Sequence, residues 1–444
     1  MAGILFCFCL FLASVAVCLY QGWTLLAAVW LGIAAFFLLG LRRGLTPGKM
    51  AADAWAQGRK MCSVIVIYLL IGAITALWRS AGTIAFFIYH GLQIIRPPLF
   101  LLVAFLLTSF ISYALGTSFG VIGTVGVILM ALARSGGVSP AITAGTIIAG
   151  AYFGDRCSPA SSSASLVAAA TGTRLYDNLQ LMHRTGWLPY LLTLAVYAAL
   201  SAANPLQALD TATLEELARR FTLSPWTALP ALLILLLPLC RVSIRWAMAA
   251  SAAAALALTV TVQGVPLSTA LRDTVLGYVP APGALHDVLA GGGVVSMLTA
   301  TALAISAGLY AGLLGGIGAL DGVRRWAEKL AQRAGLFPAC AAVCILSGMV
   351  FCNQSTGAVV STQLLQDTYH RLGDGQRELA IDIENSGIVL SPLIPWNISV
   401  SIPLHMLGVT AAALPYAVLL YMIPLCYAAT KKRLYQPQER KQTL

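Results

Sequence analysis

Residues 116–172 read GTSFGVIGTVGVILMALARSGGVSPAITAGTIIAGAYFGDRCSPASSSASLVAAATG, and the rest of the chain is organised around them. The stretch is apolar enough to lie in a membrane, yet it is interrupted. Gly116, Gly120, Gly123 and Gly126 loosen its start, and Asp155-Arg156 followed by Ser158-Pro159 breaks its middle. Ser161, Ser162, Ser163 and Ser165 then place a run of hydroxyls inside apolar sequence. A lone carboxylate at membrane depth is costly and marks an ion or proton path. Irregular backbone at that depth is tolerated only where protein or a water-filled cavity covers it. The stretch therefore reads as a broken helix that binds something near the middle of the membrane.

Composition agrees. The 444 residues are 59% hydrophobic and 10% charged, against about 25% charged in soluble domains. An all-α polytopic membrane protein follows, with room for about 10–13 helices at about 20 residues per span. The net charge of +11 would suggest nucleic acid in a soluble protein. Here basic residues pool in a few segments, as the positive-inside rule requires, and no nucleic-acid partner is expected. The ten cysteines form no CxxC and no His/Cys metal spacing, so no metal site is expected and they read as small packing residues.

Threading the chain outward from 116–172 places 42–60, 174–186, 321–335 and 431–444 on one face, the cytoplasmic one. Arg174, His183 and Arg184 mark a loop in this threading, as do Arg324, Arg325, Lys329 and Arg333. Both termini are then cytoplasmic, and the expected location is the cell (inner or plasma) membrane of a prokaryote. Residues 80–95 read as a short span or a re-entrant piece. In 204–224, Thr213 with Glu216 reads as a capping box.

A repeat is visible. Ser158-Pro159 follows Gly116-Thr117-Ser118 and a helix of small residues; 233 positions later Ser391-Pro392 follows Asn353-Gln354-Ser355-Thr356-Gly357 and a helix carrying Asp382 and Glu384. The two halves run oppositely across the membrane, an inverted-topology repeat with two broken or re-entrant helices. The expected organisation is 1–60, an N-terminal helix pair and basic loop; 61–203, a first repeat broken at 155–165; 204–292, a connecting segment; 293–430, a second repeat broken at 384–397; and 431–444, a basic tail.

Each motif has a plain reading beside the functional one. Gly150/Gly154, Gly308/Gly312 and Gly312/Gly316 let helices approach closely. Ser158-Pro159 is a good helix start, serine capping and proline wasting no amide; the amides of that half-helix, and of one after Ser391, could face an anion. Asp155 and Arg156 form a local pair only if the segment is unwound, since consecutive residues on a helix do not face each other. Asp382 reads as a residue near the cytoplasmic end, with Arg377. Ser391-Pro392-Leu393-Ile394-Pro395-Trp396-Asn397 holds two prolines that a continuous helix would not tolerate cheaply. A channel would want a polar stripe or rings of like residues, and neither is present. No HExxH and no Ser/His pair at suggestive spacing points to an enzyme.

GTSFGVIGTVG, GAYFGDRCSP and SPLIPWN together resemble the pattern of NhaC-type sodium/proton antiporters, in the ion transporter superfamily, over roughly residues 60–430. The resemblance implies an inverted-repeat bundle and exchange of sodium for protons by alternating access. Close relatives in that family exchange malate and lactate. Three departures stand out. Where the family usually reads SPLSDTTN, Ser162 replaces the aspartate and Ser165 the asparagine. Asn353-Gln354 stands where an acid often precedes the glutamine, and Asn385 stands where Glu-Asp-Ser-Gly carries its aspartate. A proton- or sodium-coupled exchanger of a small organic acid or zwitterion is therefore the alternative.

The expected ion- or substrate-binding residues are Thr117, Ser118, Asp155, Ser158, Ser161, Ser162, Ser165, Asn353, Gln354, Glu384, Asn385, Ser386, Ser391 and Asn397. Asp155 and Glu384 are the expected proton-coupling groups. Hydroxyl and amide oxygens suit a hard cation. No cofactor is expected, sodium and protons being cargo. The expected partners are the lipid bilayer and a small ion or small molecule, and a homodimer is left open.

Overall fold

A computed structural model describes residues 2–435 apart from 22, 60–61, 95–96, 160, 208–210, 241, 281–288, 317–320 and 373–374. Lys60, Arg96, Arg241, His286 and the basic tail beyond Tyr435 lie outside the described residues. In chain order the helices are α1 (Ala2–Gln21), α2 (Leu25–Arg42), α3 (Pro47–Gly58), α4 (Cys62–Ser80), α5 (Thr83–Ile94), α6 (Phe100–Leu115), α7 (Ser118–Val121), α8 (Val127–Ser135), α9 (Pro140–Cys157), α10 (Ser162–Thr171), α11 (Leu175–Ala203) and α12 (Thr211–Arg220). They continue as α13 (Leu229–Leu239), α14 (Ile244–Thr261), α15 (Leu267–Leu276), α16 (Leu298–Gly316), α17 (Asp321–Ala334), α18 (Leu336–Phe351), α19 (Gln354–Leu372), α20 (Gln376–Glu384), α21 (Gly387–Leu390), α22 (Ile398–Leu407) and α23 (Val418–Tyr435). Among the described residues the only β pairing is one isolated bridge, Tyr278 with Gly291.

The protein is an all-α, polytopic membrane protein. Among the described residues, five helical stretches are long and apolar enough to cross a bilayer, and two bent helix pairs bring the number to seven; shorter apolar helices lie among them. One bent pair is α4 with α5, at 63°. Twelve residues make α5 about 18 Å long at 1.5 Å per residue, short of a bilayer's ~30 Å, so residues 83–94 alone do not span.

The glycine spacings fix the closest helix crossings. A side chain at Gly154 would lie 2.0 Å from the Ser112 backbone, and one at Gly150 the same distance from the Thr108 hydroxyl, so α9 lies tight along α6. Gly312 likewise meets the backbone of Asp53, pressing α16 onto α3. With little hydrophobic drive between helices in lipid, close packing of this kind is what holds them together. Between α7 and α8 the chain widens into a π-helical turn, Ile122–Gly126, where the glycine spacing leads the eye.

Three local expectations are corrected. His183 and Arg184 do not lie in a loop, because α11 starts at Leu175 and runs 29 residues; Arg174 stays outside it, as the extended residue just before the helix. The basic segment 321–335 is helical over Asp321–Ala334, with Arg324 paired to Asp367 and Glu328 to Arg371 of α19 (3.0 Å for the latter). Thr213 lies inside α12, which begins at Thr211, so it is not that helix's N-cap.

Candidate functional site

Asp155 lies in the last turn of α9, where the chain breaks. Ser158 closes that helix, its N–H donating to Gly154 O at 2.9 Å and its hydroxyl to Tyr113 O at 2.6 Å. The next helix starts at Ser161, whose Oγ accepts from Ala164 N at 3.1 Å and donates to the Asp155 carbonyl. One serine thus caps α10 and ties the break back onto α9. Ser158-Pro159 is not the helix start that its sequence suggests.

This capping register sets which hydroxyls point inward. Ser163 is buried and its Oγ donates to Asp155 Oδ2 at 3.1 Å. Gln354, the first residue of α19, donates its Nε2 to the same oxygen at 3.2 Å and to Ile388 O at 3.2 Å. Asp155 is therefore buried among two neutral donors from two other helices. Both donors suit the ionised carboxylate, and neither cancels its charge.

The second break begins at Glu384, the last residue of α20. The chain continues through α21, one 3-10 turn (Ser391–Leu393) and an extended segment to Asn397, which caps α22. The bend between the two arms is 47°. Asn397 Oδ1 accepts from Ser399 N at 3.0 Å and from its hydroxyl at 2.8 Å, while Nδ2 donates to Gly348 O at 2.9 Å. Opposite it, Cys352 adopts a left-handed φ of 53°, and its carbonyl accepts from Ile398 N at 2.8 Å. The strained residue between α18 and α19 thus anchors the start of α22.

Glu384 is fully buried, and neither carboxylate oxygen has a hydrogen-bond partner among the described residues. It lies in the electrostatic field of Arg156 and of Asp155. Arg156, also fully buried, uses only Nη2: it donates to Asn385 Oδ1 at 2.5 Å, Thr185 Oγ1 at 2.9 Å and Met182 O at 3.1 Å. Its Nε and Nη1 have no hydrogen-bond partner among the described residues. Asp155 and Arg156 are sequence neighbours, yet the arginine is hydrogen-bonded to the second break and not to Asp155. Two carboxylates and one guanidinium leave one net negative charge when all are ionised. One monovalent cation or one proton would cancel it. An uncompensated charge buried this deeply is otherwise very costly.

The site gathers part of the expected set. Asp155, Gln354, Glu384 and Asn385 converge there, and Ser161 and Ser158 shape the break. Ser162 and Ser165 are exposed, and Ser165 Oγ donates to Ser161 O at 2.7 Å, so neither reaches the carboxylates. Thr117 caps α7 by accepting from Gly120 N, and Ser118 is buried beside it. Asn353 Oδ1 caps α19 by accepting from Thr356 N at 3.0 Å. Ser386 and Ser391 donate to carbonyls of their own segment, Asp382 O and Gly387 O, both at 2.6 Å. The residues that sequence reasoning left off its list are Ser163, Arg156 and Thr185. The hydroxyl run and the Asp-Arg pair carried signals for the first two.

Asp382 belongs to a different cluster, and not with Arg377. Tyr427 donates to its Oδ1 at 2.8 Å, Tyr369 to its Oδ2, and Lys431 pairs with it and, at 2.6 Å, with Glu378. Three aromatic rings surround the ammonium at 5.8–5.9 Å. This cluster clamps α20 to α23.

Apolar helices broken at two places, with buried carboxylates where the breaks meet, define a secondary transporter. Residues 3–203 and 150–430 match the model of the Na+/H+ antiporter family, so the chain belongs to that family. It is 28% identical over 372 residues to the Na(+)/H(+) antiporter NhaC of Alkalihalophilus pseudofirmus, covering 81% of this chain and 79% of that protein. It is 26% identical to the malate-2H(+)/Na(+)-lactate antiporter of Bacillus subtilis (81% and 78% covered). It is also 26% identical to the arginine/ornithine antiporter ArcD of Halobacterium salinarum (80% and 74%). The resemblance of its motifs to the NhaC type is borne out.

Proposed function

We propose that the protein exchanges sodium for protons across a prokaryotic plasma membrane, with Asp155 as the group that carries either ion. The observation that supports this most is the environment of Asp155: buried, ionisable, and held by Ser163 and Gln354 where two chain breaks meet. Burial favours the neutral carboxyl, and a bound cation favours the charged one, so proton and sodium compete for one group. Ser163 and Gln354 lower the cost of the charged form. Their oxygens, with those of Ser161 and Asn397, are the hard donors such a site would offer a sodium ion. Glu384 is the second proton-coupling group and Arg156 its counter-charge. No cofactor enters the scheme. The two breaks belong to oppositely oriented repeats, both termini face the cytoplasm, and a homodimer is the proposed assembly. In proteoliposomes Asp155→Asn, nearly isosteric, should leave the protein folded and remove sodium-driven proton flux; flux retained in that variant would rule the role out.

A second reading is favoured by Arg156. Its free Nε and Nη1 donors and the bare Glu384 carboxylate are one cationic and one anionic group in the same buried region. That is the complement of an organic zwitterion, or of an organic acid carried with a cation. Uptake of labelled lactate, malate or arginine that competes with sodium would favour this reading over simple cation exchange.

A further inference from the structure

A cavity of about 160 Å³, with neither Asp155 nor Glu384 in its lining, lies along α8 between the C-terminal ends of α4 and α22. The 19 residues of α4 carry Arg79 roughly 26 Å from Cys62, which follows the basic segment 42–60. Arg79 and Arg134 both line the cavity, together with His405 and the glycine turn Gly291-Gly292. No acidic residue occurs in its described lining. The two guanidiniums lie in each other's field, and like charges held together in apolar surroundings repel.

Helix capping accounts for only part of each arginine. Arg79 Nη1 donates to Thr75 O at 2.5 Å, and Arg134 Nη2 donates to Leu407 O at 2.9 Å and Gly408 O at 3.0 Å. Arg79 Nε is buried and has no hydrogen-bond partner among the described residues. A guanidinium offers five donors in a planar fork that matches a carboxylate. The cavity would hold about five waters at ~30 Å³ each, and is smaller than the ~300 Å³ at which drug-sized pockets begin. Val127, Met130, Met297 and Met406 give it an apolar wall.

We propose that this cavity binds a small monocarboxylate, its charged end on Arg79 and Arg134 and its short carbon chain on the methionine wall. Chloride would use the charge and leave the fork geometry and the wall unused. The bound anion would bridge α4, α8 and α22. Because Asn397 of the second break caps the start of α22, occupancy of the cavity would hold the far end of that half-helix. The site is separate from Asp155 and Glu384, and its test does not depend on how sodium is exchanged.

The test is thermal unfolding of the purified full-length protein at constant sodium and ionic strength, titrated with acetate, propionate or lactate against chloride and gluconate. The short carboxylates should give a saturable rise of at least ~2 °C, since a ligand that binds only the folded state stabilises it. Chloride and gluconate should give little. Arg79→Gln should remove the rise and Arg79→Lys keep part of it. Ala131→Phe, which fills the cavity without touching charge, should also remove it and serves if Arg79→Gln fails to fold. An equal rise with chloride, or one that survives Ala131→Phe, would overturn the proposal.

Discussion

The two chain breaks differ in how they treat their acid. At the first, Asp155 is hydrogen-bonded by Ser163 and Gln354, and the flanking helices are tied by Ser161. At the second, Glu384 has no hydrogen bond among the described residues; its neighbour Asn385 takes the Arg156 donor instead. One carboxylate is provided with neutral donors, the other only with a nearby positive field. Neutral donors stabilise a charge without cancelling it, so the first break stays open to an incoming cation. A guanidinium beside the second acid already supplies a cation's worth of charge. In the proposed exchange the two halves would divide the work: Asp155 would bind the ion, and Glu384 with the field of Arg156 would set the total charge that the ion must balance.

Removing Arg156 tests that division most severely. Arg156→Gln strips the nearby positive field from Glu384 and the guanidinium's hydrogen bonds to Asn385 and Thr185, and a hydrogen bond to a charged group is worth about 1.5–3 kcal/mol. The variant should unfold at a clearly lower denaturant concentration, and Arg156→Lys should recover part of the loss. If Arg156→Gln were as stable as the parent, Glu384 would not depend on it. The next effect is on the first break alone. A hydrogen bond to a charged group is worth about 1.5–3 kcal/mol, so Ser163→Ala should weaken sodium binding by at least ~10-fold at fixed pH. Ser162→Ala should shift it by less than about 0.5 kcal/mol, the usual range for an exposed substitution. Equal effects from the two serines would mean that α10 is phased differently. Below the Ser163 effect come the caps: Ser161→Ala should cost ~1 kcal/mol of stability and Asn397→Ala at least ~1 kcal/mol. The Asn397 change should cost more, because its side chain also holds Gly348.

Much of this was legible in the sequence. Membrane class, two breaks and four of the central residues (Asp155, Gln354, Glu384 and Asn385) follow from lone acids and amides in apolar sequence. The phase of α10 did not follow. Ser158-Pro159 and Ser161 are both good caps, and only tertiary contacts choose Ser161; the choice turns Ser163 inward and Ser162 and Ser165 outward. Arg156 was read against its neighbour Asp155, whereas its partners Thr185, Met182 and Asn385 lie 26 to 229 positions away. Lys431 reads as the start of a basic tail, and nothing local shows that it reaches Asp382 across 49 positions. The helical character of α17 is legible in the sequence: Val323, Ala327 and Ala331 recur there at helical spacing among the basic residues that suggest a loop.

The most direct measurement is calorimetric titration of sodium into the purified protein, in buffers of different ionisation enthalpy, which counts protons released per sodium bound. Competition at Asp155 predicts about one proton released per sodium where the carboxyl starts protonated, with apparent affinity falling tenfold for each unit of pH below that. Asp155→Asn should neither bind sodium nor release protons. Sodium binding that releases no proton at any pH, or that persists unchanged in Asp155→Asn, would contradict the account.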